Sequence, residues 1–258
     1  MSSCEDLLDL LEAREGVVCA VGAGGKKSLL NHLATAHPGR VAITATVFTT
    51  YVHEHLGFAV AIEADADLPD AVARLDPARS VVYACPGDKP GRRAGASPAT
   101  IERIHREGGF VATYVKADGA RMRLVKAPAE DEPALPACAT TVVPILSALA
   151  LGEPLTARVA HRVERIAQVA GLREHDTIEP VHLGRLLASP QGLMKGTEGR
   201  RVVPVINMVD DAAREAQARE AAAHALELCP RIDRVVLACL ARADDPVVAV
   251  VRRPTIGP

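Results

Sequence analysis

The residues best suited to chemistry form a short segment near the N-terminus, which reads Gly22-Ala23-Gly24-Gly25-Lys26-Lys27-Ser28. Glycines let backbone N–H groups approach phosphate oxygens without a Cβ in the way. The start of a helix adds further N–H groups and a partial positive charge. Lys26 is placed to reach the terminal phosphates, and a hydroxyl such as that of Ser28 can bind Mg²⁺. The segment therefore predicts a loop that binds a nucleoside triphosphate, ATP or GTP, with Mg²⁺.

The segment departs from the full phosphate-loop motif. The pattern Gly-x-x-x-x-Gly-Lys-[Ser/Thr] would put its first glycine at Ala20 and its hydroxyl at Lys27. The shorter form Gly-x-x-Gly-Lys-x-Ser fits, and it resembles the compact loop of Mur-type ligases. The alternative is a strand–turn–helix connection that binds no ligand. Phosphate binding is favoured because turn geometry does not explain two adjacent lysines.

A candidate metal carboxylate, Asp118, follows the apolar run of residues 109–115. Phosphoryl chemistry uses a metal ion such as Mg²⁺, and this ion needs a carboxylate ligand nearby. The end of an apolar strand is where the aspartate that supports Mg²⁺ usually lies in P-loop proteins. The alternative is a turn aspartate, because Asp118-Gly119 is a frequent turn dipeptide. The two interpretations are evenly balanced, and the metal hypothesis pairs Asp118 with Ser28.

A densely charged segment follows Asp118 and alternates cations with carboxylates. It leaves the carboxyl end of a predicted strand, where open α/β sheets bind ligands. Arg121 and Lys126 are candidate contacts to an anionic ligand, and Glu130 and Glu132 are candidates for a general base or a metal ligand. A solvated loop is the alternative interpretation. The predicted catalytic set is Lys26, Asp118, Arg121, Lys126 and Glu130.

A possible base-reading turn, Asn207-Met208-Val209-Asp210, ends a later strand. Many GTPases carry Asn-Lys-x-Asp in this topological place, and there the aspartate reads guanine. Here methionine replaces the lysine. The favoured alternative is a turn that leads into the helix beginning at residue 211 or 212, with aspartate as its cap. Asn207 and Asp210 are therefore candidate nucleotide-binding residues.

These segments are separated by alternating strand-like and helical stretches, which is typical of a mainly parallel sheet. Apolar residues at helical spacing over 156–170 and 181–187 predict a helical insertion around residues 150–200. The predicted fold is one α/β domain spanning residues 1–258, of P-loop nucleotide-binding type, with a mainly parallel sheet flanked by helices.

Composition excludes several classes of function. The chain has 258 residues with a net charge of -2 and 2% aromatic residues, which argues against nucleic acid as a partner. The N-terminus has no secretory pattern, and no apolar run approaches the roughly 20 residues that span a bilayer. We therefore expect a cytoplasmic protein that does not bind membranes. The six cysteines form no CxxC pair, which predicts buried, reduced thiols.

Several stretches together resemble the selenium cofactor biosynthesis protein family of YqeC type, whose members are also described as selenium-dependent molybdenum hydroxylase accessory proteins. The matching stretches are Val21-Gly22-Ala23-Gly24-Gly25-Lys26, Lys116-Ala117-Asp118-Gly119-Ala120-Arg121, Lys126-Ala127-Pro128-Ala129-Glu130, Glu132-Pro133, Ser189-Pro190-Gln191-Gly192-Leu193-Met194-Lys195-Gly196, and Val203-Pro204-Val205-Ile206-Asn207 with Asp210. They occur in the family's order and span most of the chain. Lys27 replaces the threonine usual in the family's loop, which moves the expected hydroxyl to Ser28.

The resemblance implies a nucleotide-dependent step in the maturation of a selenium-containing molybdenum hydroxylase. Its partners would be a molybdenum or selenium cofactor, or the apo-hydroxylase. Two hypotheses follow. One is an enzyme that hydrolyses a nucleotide or transfers a phosphoryl or nucleotidyl group. The other is a nucleotide-gated binding or chaperone protein with little turnover, and the position of Glu130 and Glu132 discriminates between them.

Overall fold

A computed structural model describes residues 6–50, 56–89 and 91–254 of the chain. These residues form two compact units. The first comprises Met1–Ala20, Lys27–Gly119 and Pro133–Val142, and the second comprises Val21–Lys26, Ala120–Glu132 and Val143–Pro258. The division falls within two strands and after the first residue of one helix, so that all three elements contribute residues to both units.

The described elements alternate along the chain as the sequence predicts. The strands are β1 (Gly16–Gly22), β2 (Val41–Ala45), β3 (Thr49–Thr50), β4 (Ala59–Ile62), β5 (Val81–Pro86), β6 (Arg92–Ala94), β7 (Ala112–Lys116), β8 (Val125–Lys126), β9 (Ala139–Ser147), β10 (Ala160–His161), β11 (Arg201–Val202), β12 (Val205–Asn207), β13 (Arg234–Ala238) and β14 (Val247–Arg252). The helices are α1 (Leu7–Leu10), α2 (Lys26–Ala36), α3 (Leu68–Ala73), α4 (Pro98–Glu107), α5 (Val163–Ala170), α6 (Pro180–Ala188) and α7 (Ala212–Leu228).

The first unit is built on parallel strands that are buried on both faces. β7 lies between β1 and β2, with Gly16 paired to Ala112 and Val41 also paired to Ala112. β5 lies between β2 and β4, again in parallel. The central strands are mainly apolar and largely buried, as expected when helices cover both faces of a parallel sheet. Because α3 packs on β4 and β5, this edge of the unit is covered by a helix.

The second unit is also built on parallel strands, but an antiparallel strand forms its edge. β12 lies between β9 and β13, in parallel with both, and the antiparallel β14 pairs with β13. α7 packs against β13 and β14. Small residues allow α6 to approach α7 closely, since a Cβ on Gly184 would lie 2.5 Å from Cβ of His224. The predicted α/β fold with mainly parallel strands and flanking helices is confirmed.

The region of the predicted helical insertion contains α5 and α6, but the helix predicted over residues 156–170 is wrong in its first half. β10 occupies residues 160–161, and α5 begins only at Val163. Arg162 separates them in a left-handed conformation, with φ of 70°. A right-handed helix cannot include such a residue. Within the described part of the chain, no helix is long and apolar enough to cross a bilayer.

Candidate functional site

The glycine loop connects β1 to α2 and lies against β9 and β12 within the second unit. Gly22, Gly24 and Gly25 all have positive φ, of 98°, 81° and 140°. A Cβ on Gly22 would lie 2.2 Å from the carbonyl oxygen of Ile145, and a Cβ on Gly25 would lie 2.3 Å from Nδ2 of Asn207. Neither position accommodates a side chain. Glycine is therefore required at both for close approach of the loop backbone to its neighbours.

Asn207 connects this loop to the turn that follows β13. Its Nδ2 donates to the carbonyl oxygen of Gly24 at 2.7 Å, and its Oδ1 accepts from the backbone N–H of Leu240 at 3.0 Å. The side chain is buried, so both bonds are shielded from water. The loop is also held by the backbone N–H of Ala23, which donates to Ile145 O at 2.8 Å. Asn207 therefore orders the glycine loop and a second loop at the same sheet edge.

The first residues of α2 differ sharply in exposure. Lys26 is only 5% exposed, and its ammonium donates to the carbonyl oxygen of Gly22 across the loop. Lys27 and Ser28 are exposed. The ammonium of Lys26 is thus held at the loop backbone, whereas Lys27 extends from the first turn of the helix.

Asp118 lies in the first unit, two residues after the end of β7, and is 1% exposed. The adjacent backbone is held by Ala117, whose N–H donates to Ala20 O at 3.0 Å and whose carbonyl accepts from Ala134 N–H at 3.2 Å. Burying a carboxylate is costly unless it is paired or binds a cation. A simple turn aspartate in Asp118-Gly119 would be expected at the surface, whereas this carboxylate is buried.

The loop after Asp118 has an unusual backbone at its tip. Arg121 and Met122 both have positive φ, of 46° and 57°. Both residues are exposed, and Met122 is 98% exposed. Non-glycine residues seldom adopt this conformation, and such residues are concentrated at functional sites. Arg121 is therefore presented to solvent at the end of a conformationally restricted loop.

Lys126 has a different environment from Arg121. Its side chain is fully buried, and Nζ lies 2.6 Å from Oε2 of Glu132. Arg162 reaches the same oxygen through Nη1 at 2.8 Å and also donates to the carbonyl oxygen of Ala127 at 3.1 Å. The left-handed backbone of Arg162 precedes α5 and positions this guanidinium. The ammonium predicted to contact a ligand thus lies in a buried ion-pair cluster of Lys126, Glu132 and Arg162.

This buried cluster shifts the pKa values of two neighbouring groups. Burial alone would raise the pKa of Glu132, but hydrogen bonds from Arg162 and Lys126 outweigh it and lower the pKa to about 2. Burial, together with the cations Arg162, Lys126 and Arg121, lowers the pKa of His161 to about 4, although Glu132 opposes this effect. At neutral pH, Glu132 is ionised and a weak base, and His161 is neutral.

Glu130 is exposed and held differently from Glu132. Its side chain is 94% exposed and lies 3.3 Å from Arg165. Its backbone carbonyl accepts from Lys195 Nζ at 2.7 Å, and the same ammonium donates to Ala129 O at 2.5 Å. Lys195 and Arg165 therefore fix the backbone of this loop, while the carboxylate of Glu130 faces solvent.

Asp210 ends the turn that Asn207 begins and is exposed. Its Oδ1 accepts from the thiol of Cys239 at 3.0 Å. Asp211, the next residue, caps α7 by accepting from Arg214 N at 2.8 Å. The capping interpretation is therefore correct for Asp211, which leaves the carboxylate of Asp210 outside the helix cap.

The sequence did not identify several residues that organise these sites. Ser147, at the end of β9, donates its hydroxyl to Met208 Sδ at 2.9 Å and lies against Gly24. Leu240 completes the Asn207 bridge, and Arg162 completes the buried cluster. Among the residues that organise these sites and were not predicted as site residues, only Lys195 was indicated by the sequence, because it lies in one of the stretches that carry the family resemblance.

The other potential metal ligands are dispersed through the described ranges. There, no group of three or more His, Cys, Asp and Glu side chains could hold a metal ion. Four cysteines, Cys19, Cys85, Cys229 and Cys239, are buried thiols that form no disulfide, as the sequence predicts.

Comparison with known proteins identifies related sequences. The model of the family described as YqeC protein matches residues 18–164. A protein of Escherichia coli (strain K12) described as "Uncharacterized protein YqeC" is 30% identical over 200 residues, which cover 76% of this chain and 77% of that protein. No solved structure matches the chain. The family-model match includes the glycine loop and the buried ion-pair cluster, whereas Asn207 and Asp210 lie beyond it.

Proposed function

The chain belongs to the YqeC protein family, and from this premise we propose that it is a nucleoside-triphosphate-binding protein in selenium cofactor biosynthesis or in the maturation of selenium-dependent molybdenum hydroxylases. One observation carries the nucleotide-binding part, namely a strand, a loop with three positive-φ glycines, and a lysine that opens a helix. The maturation part rests on the family that the sequence resembles.

Each part of the loop has a role in binding phosphate. Backbone N–H groups of residues 24–27 would donate to phosphate oxygens, and the start of α2 adds a partial positive charge. Lys26 would release the carbonyl oxygen of Gly22 and turn to the β- and γ-phosphates. Asn207 supports this proposal because it holds the loop backbone through Gly24, so that little ordering is needed when a ligand binds.

Side-chain chemistry supports Mg²⁺ as the metal and Ser28 and Asp118 as its protein ligands. Mg²⁺ prefers oxygen ligands and is usually bound by one or two protein groups together with phosphates and water. Ser28 supplies the hydroxyl that Lys27 cannot, and Asp118 supplies a buried carboxylate. The metal would neutralise phosphate charge.

Arg121 and Glu130 are the charged groups best exposed to a second ligand, such as a molybdenum or selenium cofactor or the apo-hydroxylase. Arg121 projects from the loop tip, and Glu130 faces solvent. Lys126 would act on such a ligand mainly by fixing the loop, because its ammonium is bound to Glu132. We propose that these contacts are made in the cytoplasm.

The two carboxylates Glu130 and Glu132 favour a nucleotide-gated binding protein with little turnover over an enzyme. An ATP- or GTP-dependent enzyme that activates its nucleophile by general-base catalysis would use a base poised to take a proton near neutral pH. Glu132 is unsuited because its pKa is lowered to about 2, and Glu130 is almost fully exposed. Binding would then alter the loops around residues 120–132 and so control the affinity for the partner.

Calorimetric titration with ATP, GTP and CTP, each with and without Mg²⁺, tests the proposed function. At least one purine triphosphate is expected to bind with micromolar affinity in the presence of Mg²⁺, and product analysis is expected to show little turnover. The absence of binding for every triphosphate would refute the proposal. Rapid formation of a diphosphate or monophosphate would instead favour the enzyme.

The variant Asp118→Asn tests the metal assignment within the same titrations. If Asp118 holds Mg²⁺, the variant should lose about tenfold or more in affinity with Mg²⁺ and little without it, since one pairing with a charged group contributes roughly 1.5–3 kcal/mol. An equal loss under both conditions would contradict the metal role. Asp211→Asn, which removes one negative charge at a helix cap that asparagine can also form, is a control for the loss of one negative charge.

A further inference from the structure

The turn after β12 is held against the glycine loop by a continuous set of hydrogen bonds in the second unit. Asn207 bonds to Gly24 on one side and to Leu240 on the other, at 2.7 and 3.0 Å. The backbone N–H of Val209 donates to Ala238 O at 3.0 Å, which holds the end of the turn to β13. A ligand group that extends past the glycine loop would therefore contact a turn whose position is already fixed.

Met208 occupies this turn in a strained conformation. Its φ is 62°, a left-handed value that non-glycine residues seldom adopt, and its Sδ accepts from the hydroxyl of Ser147 at 2.9 Å. Ser147 in turn lies against Gly24. The half-buried thioether is therefore fixed beside the phosphate loop. Such a side chain offers a polarisable apolar surface on which a planar ring can pack.

Asp210 presents a carboxylate at the end of the same turn. The thiol of Cys239 donates to Oδ1, and this bond, followed by burial, raises the pKa of the thiol, so that it keeps its proton and continues to donate. The bond orients the carboxylate. An ionised carboxylate has about four lone-pair positions, so Asp210 can accept two further hydrogen bonds while it holds the thiol.

We propose that Asp210 selects guanine as the base of the bound nucleotide, an inference that rests on the proposed triphosphate site. Guanine presents two adjacent donors, N1–H and the 2-amino group, which match the two oxygens of a carboxylate. Adenine presents a donor beside the N1 lone pair, and cytosine presents a donor beside the N3 lone pair, so each would direct a lone pair at the carboxylate. Uracil presents only one donor, between two carbonyl groups.

The test uses Asp210→Asn and three probes, GTP, ATP and xanthosine triphosphate, each with Mg²⁺. Xanthine carries a carbonyl oxygen where guanine carries the amino group, so an asparagine amide can donate to it while its oxygen accepts from N1–H. The wild-type protein is expected to prefer GTP to ATP and to xanthosine triphosphate by about 10- to 100-fold, the discrimination of one bidentate pair. The variant is expected to reverse the preference between GTP and xanthosine triphosphate.

Asp211→Asn is the matched control because it makes the same chemical change at the adjacent residue, where asparagine still caps α7. It should keep the wild-type preference for GTP. Equal affinity of the wild-type protein for GTP and ATP, or an unchanged preference in Asp210→Asn, would overturn the guanine assignment. If triphosphate binding is nevertheless lost in Lys26→Ala, the triphosphate site is supported although the guanine assignment fails. If the wild-type protein binds no triphosphate, the proposed function itself fails and the guanine assignment falls with it.

Discussion

Replacing Lys26 by alanine is expected to lower the affinity for Mg²⁺-bound nucleoside triphosphate by at least about 100-fold, as measured by calorimetric titration. A charge-assisted hydrogen bond contributes roughly 1.5–3 kcal/mol, and a lysine that contacts two phosphates makes more than one. The free energy of unfolding should change by about 1 kcal/mol, because the substitution removes the hydrogen bond from this ammonium to the carbonyl oxygen of Gly22.

Lys27→Ala is the matched control for this experiment. Lys27 carries the same charge one residue later but is exposed on the first turn of α2. Its removal should reduce the affinity only a few-fold, since an exposed charge is screened by water and salt. Equal losses in the two variants would mean that general positive charge attracts the nucleotide. Unchanged affinity in Lys26→Ala would exclude the loop as the phosphate site.

Replacing Glu132 by glutamine is expected to destabilise the protein by about 3–5 kcal/mol at pH 7, as measured by urea denaturation. Removal of one partner from a buried ion pair costs this much because the remaining charge loses its compensation. Here that charge is the ammonium of Lys126, whose side chain is fully buried and 2.6 Å from Glu132. Arg162 loses the same carboxylate and is itself only 24% exposed.

Glu130→Gln provides the control, because Glu130 is 94% exposed and its ion pair with Arg165 is solvated. Its effect on the free energy of unfolding should lie within about 0.5 kcal/mol.

The lowered pKa of Glu132 also makes the stability depend on pH. A carboxylate with a depressed folded-state pKa stabilises the protein above its unfolded-state pKa and less as the pH falls. The difference in the free energy of unfolding between wild type and Glu132→Gln should thus decrease as the pH falls from 4.5 to about 2. A difference below 1 kcal/mol at pH 7 would contradict the structural role of the buried cluster.

Local patterns were sufficient to predict the strand, glycine loop and helix around residues 16–36. Apolar residues mark β1, glycines mark the turn, and Leu29, Leu30 and Leu33 mark the buried face of α2. The Asn207 bridge was not predictable in the same way. Gly24 and Asn207 are 183 residues apart, and only the order of the strands brings them together.

The burial of Lys126 was also beyond what local sequence could indicate. Alternating cations and carboxylates are typical of a solvated loop. The structure instead buries one cation of the run beside Glu132, and the second cation, Arg162, comes from 30 residues later in the chain. The helix predicted through residue 162 begins only at Val163, directly after the left-handed Arg162.

The central claim is that the loop at residues 22–28 binds a nucleoside triphosphate, and amide hydrogen exchange locates that binding directly. Exchange is measured on the wild-type protein and on Lys26→Ala, with and without saturating Mg²⁺-bound GTP or ATP. The claim predicts slower exchange in peptides that contain residues 22–28 and 207–210 of the wild-type protein, and no such protection in the variant. Protection confined to other segments, or unchanged exchange in residues 22–28 of saturated wild-type protein, would contradict it.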